Sequence, residues 1–258
     1  MALEPVMANL SVTTLCDDHP YDPSLKVSSG FSCLIQIGGE AVLFDAGLHG
    51  FTLLHNMERL GHDPRGLQAI VLSHIDADHA QGIWEVLKAA GPKEVYVPAS
   101  VPAAFQESLT AKGGRVMLVS GPRPIKNGLV STGEMGPWIK EQALMARTEQ
   151  GPVLVVGCGH PGIMNMVARA GDIAGEPVRT LIGGFDLSTD MEAEIERVVA
   201  GFRDLGVRRV APCHCTGQPV IERLRQEYGP DFIANGVGRV MELGSVLPHP
   251  LPLPVKPG

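Results

Sequence analysis

Positive charge is in short supply in this chain. Its 258 residues hold 21 Lys and Arg against 28 Asp and Glu, a formal net charge of −7, and no basic run breaks that balance. So acidic a chain has no global field to draw in nucleic acid, and no nucleic-acid partner is expected. Long apolar runs are missing as well. The densest, residues 153–168, is interrupted by Gly157, Gly159, His160, Pro161 and Asn165, which excludes a membrane span. Residues 1–10 carry Glu4 and Pro5 where a secretory leader would have a basic and then an apolar segment. The five cysteines are odd in number and give no disulfide framework, so reduced thiols in a cytoplasmic protein are the expectation. Aromatics make up only 5%, but hydrophobic residues reach 44%, enough for a sizeable core.

What is present is a repeated strand–helix rhythm. Apolar runs and alternation predict strands over 9–16, 31–37, 41–44, 69–72, 94–97, 115–119, 152–156, 178–182 and 207–211. Helices are predicted over 51–60, 81–90, 101–112, from 161, over 189–205 (Thr189 and Glu192 form a capping box) and over 216–228. Gly38-Gly39 reads as a hairpin turn. Residues 121–150 read as two or three short antiparallel strands, and two more short strands fall near 232 and 240. One domain is expected over 1–247. Residues 248–258, with five prolines in eleven residues, are expected to form an extended tail.

Four apolar strands end in residues suited to metal binding. The first gives His74, Asp76, Asp78 and His79, the second His160, the third Asp186 and the fourth His214. Side chains two apart on an extended segment point the same way. His74 and Asp76 can therefore reach one metal, while Asp78 and His79 turn into the next helix and face a second. Imidazole with carboxylate suits Zn, Mn or Fe. A water shared by two such metals becomes a hydroxide nucleophile near neutral pH. Predicted helix N-termini near Gly162, Thr189 and Thr216 favour an anionic substrate group, with Ser188 and Thr216 as capping or anion-contacting side chains. Cys213 and Cys215 flank His214 and read as buried thiols pointing away from it, as does Cys158.

The string His74-Ile75-Asp76-Ala77-Asp78-His79 resembles the HxHxDH signature of the metallo-β-lactamase superfamily, with Asp76 in place of the second His. Gly157-Cys158-Gly159-His160-Pro161-Gly162, Ile182-Gly183-Gly184-Phe185-Asp186-Leu187 and Pro212-Cys213-His214-Cys215-Thr216-Gly217 are similar to strings of its 7,8-dihydropterin-6-methyl-4-(β-D-ribofuranosyl)aminobenzene-5′-phosphate synthase-like hydrolases. There the string around Asp186 more often reads Gly-Gly-Phe-His-Leu. The resemblance implies an α/β (α+β) fold, a four-layer αββα sandwich. It implies His74, Asp76 and His160 on one metal, Asp78, His79 and His214 on the other, and Asp186 bridging. Asp45 resembles the superfamily's early Asp, which orients a ligand through a hydrogen bond.

The leading expectation is a dinuclear metal-dependent hydrolase acting on a small anionic, phosphorylated substrate, with Asp78 and Asp186 as its catalytic carboxylates. Zinc is the first expectation for the two divalent ions. Asp76, a harder and more negative ligand than His, shifts the preference toward Mn or Fe. The alternatives are a pterin-linked transferase, a di-iron redox enzyme and a non-catalytic ligand-binding module. An acidic second ligand suits the di-iron reading, but the chain has no G-x-G-x-x-G fingerprint and no room for a flavodoxin domain. A complete set of competent ligands argues against the module. A homodimer is a further expectation.

Overall fold

The computed structural model describes residues 8–188 and 191–248. The chain begins with strands β1 (Asn9–Cys16), β2 (Ser32–Ile37) and β3 (Glu40–Phe44), then helix α1 (Gly50–Arg59). Next come β4 (Leu67–Val71), the single-turn α2 (Ala77–Ala80), α3 (Ile83–Ala90), β5 (Lys93–Pro98), α4 (Ala103–Ala111) and β6 (Gly114–Val119). Short strands β7 (Arg123–Pro124), β8 (Leu129–Ser131) and β9 (Leu144–Thr148) lead into β10 (Gly151–Val156). The rest alternates: α5 (Ile163–Ala174), β11 (Thr180–Gly183), α6 (Glu192–Asp204), β12 (Arg209–Pro212), α7 (Gln218–Tyr228) and β13 (Val240–Ser245).

Two sheets result, ordered β13-β1-β2-β3-β4-β5-β6 and β12-β11-β10-β9-β8-β7. Their stacking follows from the two-residue period of the strands. Val153 and Val155 on β10 face the other sheet, joining Cys33, Ile35, Val42, Phe44 and Val71 in a layer between the sheets. Leu154 and Val156 face the opposite way, onto Met166, Val167 and Phe202 of α5 and α6. On the first sheet Leu34, Leu43 and Ile70 pack against Leu53, Met57 and Val86 of α1 and α3. Three apolar layers between four layers of structure make an αββα sandwich.

The topology sends chemistry to one edge. β3–β4, β10–β11 and β11–β12 pair in parallel, and β1 runs antiparallel to β2, which runs antiparallel to β3. The C-terminal ends of β1, β3 and β4 therefore lie together, as do those of β10, β11 and β12. Strand ends at such an edge present their loops to a crevice.

Several local features differ from the sequence reading. The helix expected over 81–90 is α3, and a separate single turn, α2, precedes it at Ala77–Ala80, where His79 and its neighbours coil immediately after the β4 loop. α7 begins at Gln218, capped by Gly217, and not at Thr216. Near Phe232 there is an isolated bridge to Val210, not a strand. α6 starts at Glu192 with Met191 as its cap. Thr189 of the capping box and residues 249–258 of the tail lie outside the described residues. Among the described residues no helix is long and apolar enough to cross a membrane.

Leu154 is fully buried between β10 and the outer helices. Leu154→Ala is expected to cost about 2–5 kcal/mol, read from urea unfolding. A loss below 1 kcal/mol would mean that this layer is not packed as described.

Candidate metal centre

Backbone geometry at the edge is unusual. Asp45, Asp186 and His214 adopt positive φ angles of 59°, 50° and 52°, three of the four non-glycine residues to do so among those described. Left-handed backbone at a non-glycine residue is uncommon and concentrates at functional sites. Here it turns each chain sharply as it leaves β3, β11 or β12. The loop after β4 is held from below by Gly30, whose φ is +97° and where a Cβ would lie 1.7 Å from the Asp78 carbonyl oxygen. The Phe31 N–H donates to that same oxygen at 3.2 Å.

Four imidazoles meet in this space. The ring centroids of His74 lie 4.2 Å from His79 and 4.8 Å from His160, and those of His79 and His214 are 4.9 Å apart. Their proton positions follow from their partners. Asp45, fully buried, accepts the Ser73 N–H at 2.6 Å and the Ser73 hydroxyl at 2.7 Å, and lies 2.8 Å from His79 Nδ1. With Asp45 ionised, the single Ser73 proton is given to it, so Ser73 Oγ accepts from His74 Nδ1, 2.8 Å away. His214 Nδ1 is 3.1 Å from Asp18 Oδ2, and His160 Nδ1 is 3.5 Å from Asp186 Oδ2. His74, His79 and His214 give their Nδ1 protons outward and turn a bare Nε2 inward, and His160 sets its Nδ1 beside Asp186.

The inward nitrogens have no adequate partner. The Nε2 atoms of His74 and His160 are buried without a hydrogen bond. Those of His79 and His214 face each other at 3.1 Å, two lone pairs with no proton assigned between them. The carboxylates stand alongside: Asp76 Oδ2 is 3.5 Å from His74 Nε2 and 3.6 Å from His160 Nε2. Asp78 Oδ2 is 3.5 Å from His214 Nε2 and 3.9 Å from His79 Nε2. Neutral nitrogens and carboxylates converging on one space are a donor set that fits divalent metal ions. Burial holds His74 down to about 2 and His79 to about 3, with neighbouring imidazoles adding to it, so both stay neutral and ready to ligate. Burial pushes the Asp45 carboxyl up to about 8, against the pull of the two Ser73 donors.

The structure thus gathers His74, Asp76 and His160 on one side and Asp78, His79 and His214 on the other, with Asp186 next to His160. Its carboxylate sits against His160 and is half exposed. Gly162 caps α5 with no side-chain acceptor. Thr216 departs from the sequence reading: it is buried, and its Oγ1 accepts the Phe185 N–H at 3.2 Å, so it ties two loops together and caps no helix. Ser188 is exposed and precedes the Met191 cap. The reading of the cysteines also changes. Left-handed His214 breaks the alternation assumed through 213–215, so Cys213 is buried while Cys215 is partly exposed and touches Cys158.

Three acidic residues were missed. Glu141 is fully buried and accepts the N–H groups of Cys158, Gly159 and His160 at 2.9–3.0 Å. Asp17 accepts the His214 N–H at 3.1 Å and the His19 N–H at 2.8 Å, and Asp18 faces His214 Nδ1. Burial raises the carboxyls of both Glu141 and Asp17. The available signal was positional: two acidic residues directly after β1, the strand that runs in the direction of β3.

Residues 25–173 match the sequence profile of the metallo-beta-lactamase superfamily. A 7,8-dihydropterin-6-methyl-4-(beta-D-ribofuranosyl)-aminobenzene-5′-phosphate synthase from Methanocaldococcus jannaschii is 26% identical, across 91% of this chain and 97% of its own. Tm1679, a metal-dependent hydrolase of the beta-lactamase superfamily, superposes with a TM-score of 0.77 at 25% identity, over 91% of this chain and 99% of its own. The metallo-beta-lactamase fold protein YhfI from Bacillus subtilis superposes at 0.69 with 14% identity, over 91% and 99%.

Two outcomes are expected. Asp45→Asn removes the carboxylate that takes the His79 Nδ1 proton, and should weaken metal binding about 10- to 100-fold in chelator competition, with the circular dichroism spectrum retained. Unchanged affinity would remove Asp45 from that role. The second concerns acid stability of chelated protein. His74 is neutral when folded but takes a proton below about pH 6.5 when unfolded, so its contribution is present above that pH and lost as pH falls. Between about pH 6 and pH 4.5, wild type should lose about 1.4 kcal/mol more per pH unit than His74→Gln. Parallel pH profiles in urea unfolding would contradict a buried neutral His74.

Proposed function

The chain belongs to the metallo-beta-lactamase superfamily, and from that premise we propose that it is a dinuclear metal-dependent hydrolase of small anionic, phosphorylated substrates. The observation that carries this reading is the set of inward Nε2 atoms, two of them buried without a partner and two facing each other at 3.1 Å. His74, Asp76 and His160 would hold one ion and Asp78, His79 and His214 the other; Asp186, expected to bridge them, stands instead beside the Nδ1 of His160. Zinc is the first choice, with Mn or Fe favoured to the degree that Asp76 acts as a hard ligand. When bound, such a pair supplies a nucleophile at neutral pH and polarises the oxygen under attack.

The protein's own groups do the rest. Asp45, Ser73 and Asp18 fix the ring orientations from outside, so the ligands need not reorganise. Asp78 and Asp186, two of the three half-exposed carboxylates of the site, would take the proton of the attacking water and return it to the leaving oxygen. The N-terminus of α5, reached two residues after His160 and lacking a side-chain cap, offers N–H groups to a phosphate oxygen.

A second reading rests on the identity to the synthase, which spans nearly both chains. In it the same site activates an organic acceptor and not water, joining two substrates with loss of a phosphorylated leaving group.

Metal content by inductively coupled plasma mass spectrometry on untagged protein is the first test. About two equivalents per chain are expected, lost together in His79→Ala or His214→Ala, with turnover of bis(p-nitrophenyl) phosphate falling at least 100-fold. Less than half an equivalent, with the fold intact and no uptake on reconstitution, overturns the proposal. Full metal without phosphodiester turnover leaves the transferase as the better reading.

A further inference from the structure

Two thiols from separate loops meet beside the imidazoles. Cys158 follows β10 and Cys215 follows β12, and their Sγ atoms lie 3.0 Å apart although both cysteines are free. Cys158 comes two residues before His160 and Cys215 one residue after His214. Cys215 Sγ also accepts the Asp186 N–H at 3.2 Å, so the loops after β10, β11 and β12 all converge on this sulfur pair. Packing enforces the approach. A Cβ at Gly184, between the two loops, would lie 2.5 Å from the Gly157 carbonyl oxygen and 2.7 Å from Cys215 Sγ. Cys215 is partly exposed, whereas Cys16, Cys33 and Cys213 are buried, so an oxidant from solvent meets this pair first.

We propose that Cys158 and Cys215 form a peroxide-sensitive dithiol that closes reversibly into a disulfide and clamps the three loops together. Peroxide transfers one oxygen to the Cys215 sulfur, giving a sulfenic acid and one water. The Cys158 sulfur then attacks that sulfur. The S–O bond breaks as the S–S bond forms, and the hydroxyl leaves with the Cys158 proton as a second water. Two thiols are oxidised and one peroxide is reduced to two waters; a dithiol reverses the change by exchange. Closure draws the sulfurs from 3.0 Å to about 2.05 Å. The displacement of about 1 Å is shared by the loops carrying His160 and His214, a movement large enough to matter at a reactive site.

Full-length protein, as purified with its metal and again after chelation, would be treated with a few equivalents of hydrogen peroxide, alkylated, and mapped by mass spectrometry without reduction. A Cys158–Cys215 linked peptide, two hydrogens lighter than the separate thiol peptides, is expected in most molecules. It should vanish with dithiothreitol and be absent from Cys215→Ser. In the chelated protein the link should raise the thermal midpoint by roughly 5 °C, reversibly. Links to Cys16, Cys33 or Cys213 overturn the proposal. So does Cys215 driven to sulfinic acid with Cys158 still alkylatable, or no oxidation of either thiol before methionine oxidation sets in. A link that forms without moving the midpoint overturns the clamp. Mapping of the wild type needs no variant to fold and does not depend on the reaction the site performs.

Discussion

Burying a carboxylate without partners costs several kcal/mol, and Asp45 is fully buried at the end of β3. It is tolerated because three donors converge on it: the Ser73 N–H, the Ser73 hydroxyl and His79 Nδ1. Those contacts do more than solvate one charge. They fix the end of β4 against the end of β3, set the start of α2, and decide the tautomers of both His74 and His79. Replace that carboxylate by an apolar group and Ser73 keeps a free proton to give His74 Nδ1. The inward nitrogen of His74 is then no longer guaranteed to be bare.

The second sheet repeats the solution with a different residue. Glu141, just ahead of β9, collects the N–H groups of Cys158, Gly159 and His160, which would otherwise be orphaned where β10 ends and the chain turns. Buried carboxylates thus organise both halves of the edge, Asp45 and Asp17 after β3 and β1 and Glu141 ahead of β9. The left-handed residues do the complementary work. Asp45 directly after β3, Asp186 three residues after β11 and His214 two residues after β12 turn the chain sharply, which brings a functional side chain to the rim and does not let it continue along the sheet.

This division explains what the sequence made legible. Buried strands such as Val153–Val156 read as strands because both faces are covered, and His74 to His79 read as a site because six consecutive residues hold four potential ligands. His160 and His214 were reachable through a shared context, a polar residue immediately after an apolar strand. Glu141, Asp17 and Asp18 had no such context. Their partners among the loops after β10 and β12 are 17 to 197 positions away, and no periodicity announces a pairing that only the stacking of two sheets creates. The cysteines failed for a local reason. Alternation holds while the backbone is extended, and at His214 it is not. Thr216 failed similarly, since the turn places the helix start two residues later and leaves the hydroxyl facing Phe185.

The same geometry bears on how one fold serves both a synthase and a hydrolase. What Asp45, Ser73, Asp18 and Glu141 hold in place is the inner face of the site: ring orientation, tautomer and loop position. Asp45, Ser73 and Glu141 are buried and Asp18, though exposed, stands at His214 Nδ1, while Asp78, Asp186 and the N-terminus of α5 meet the solvent. The proposed chemistry, gathering charge at a polarised oxygen, depends on the inner face. Whether water or an organic acceptor attacks depends on what the outer face admits. Substitutions on the inner face should therefore weaken any reaction of the site alike, whereas changes around Asp186 and Gly162 should alter which acceptor is used while metal binding persists.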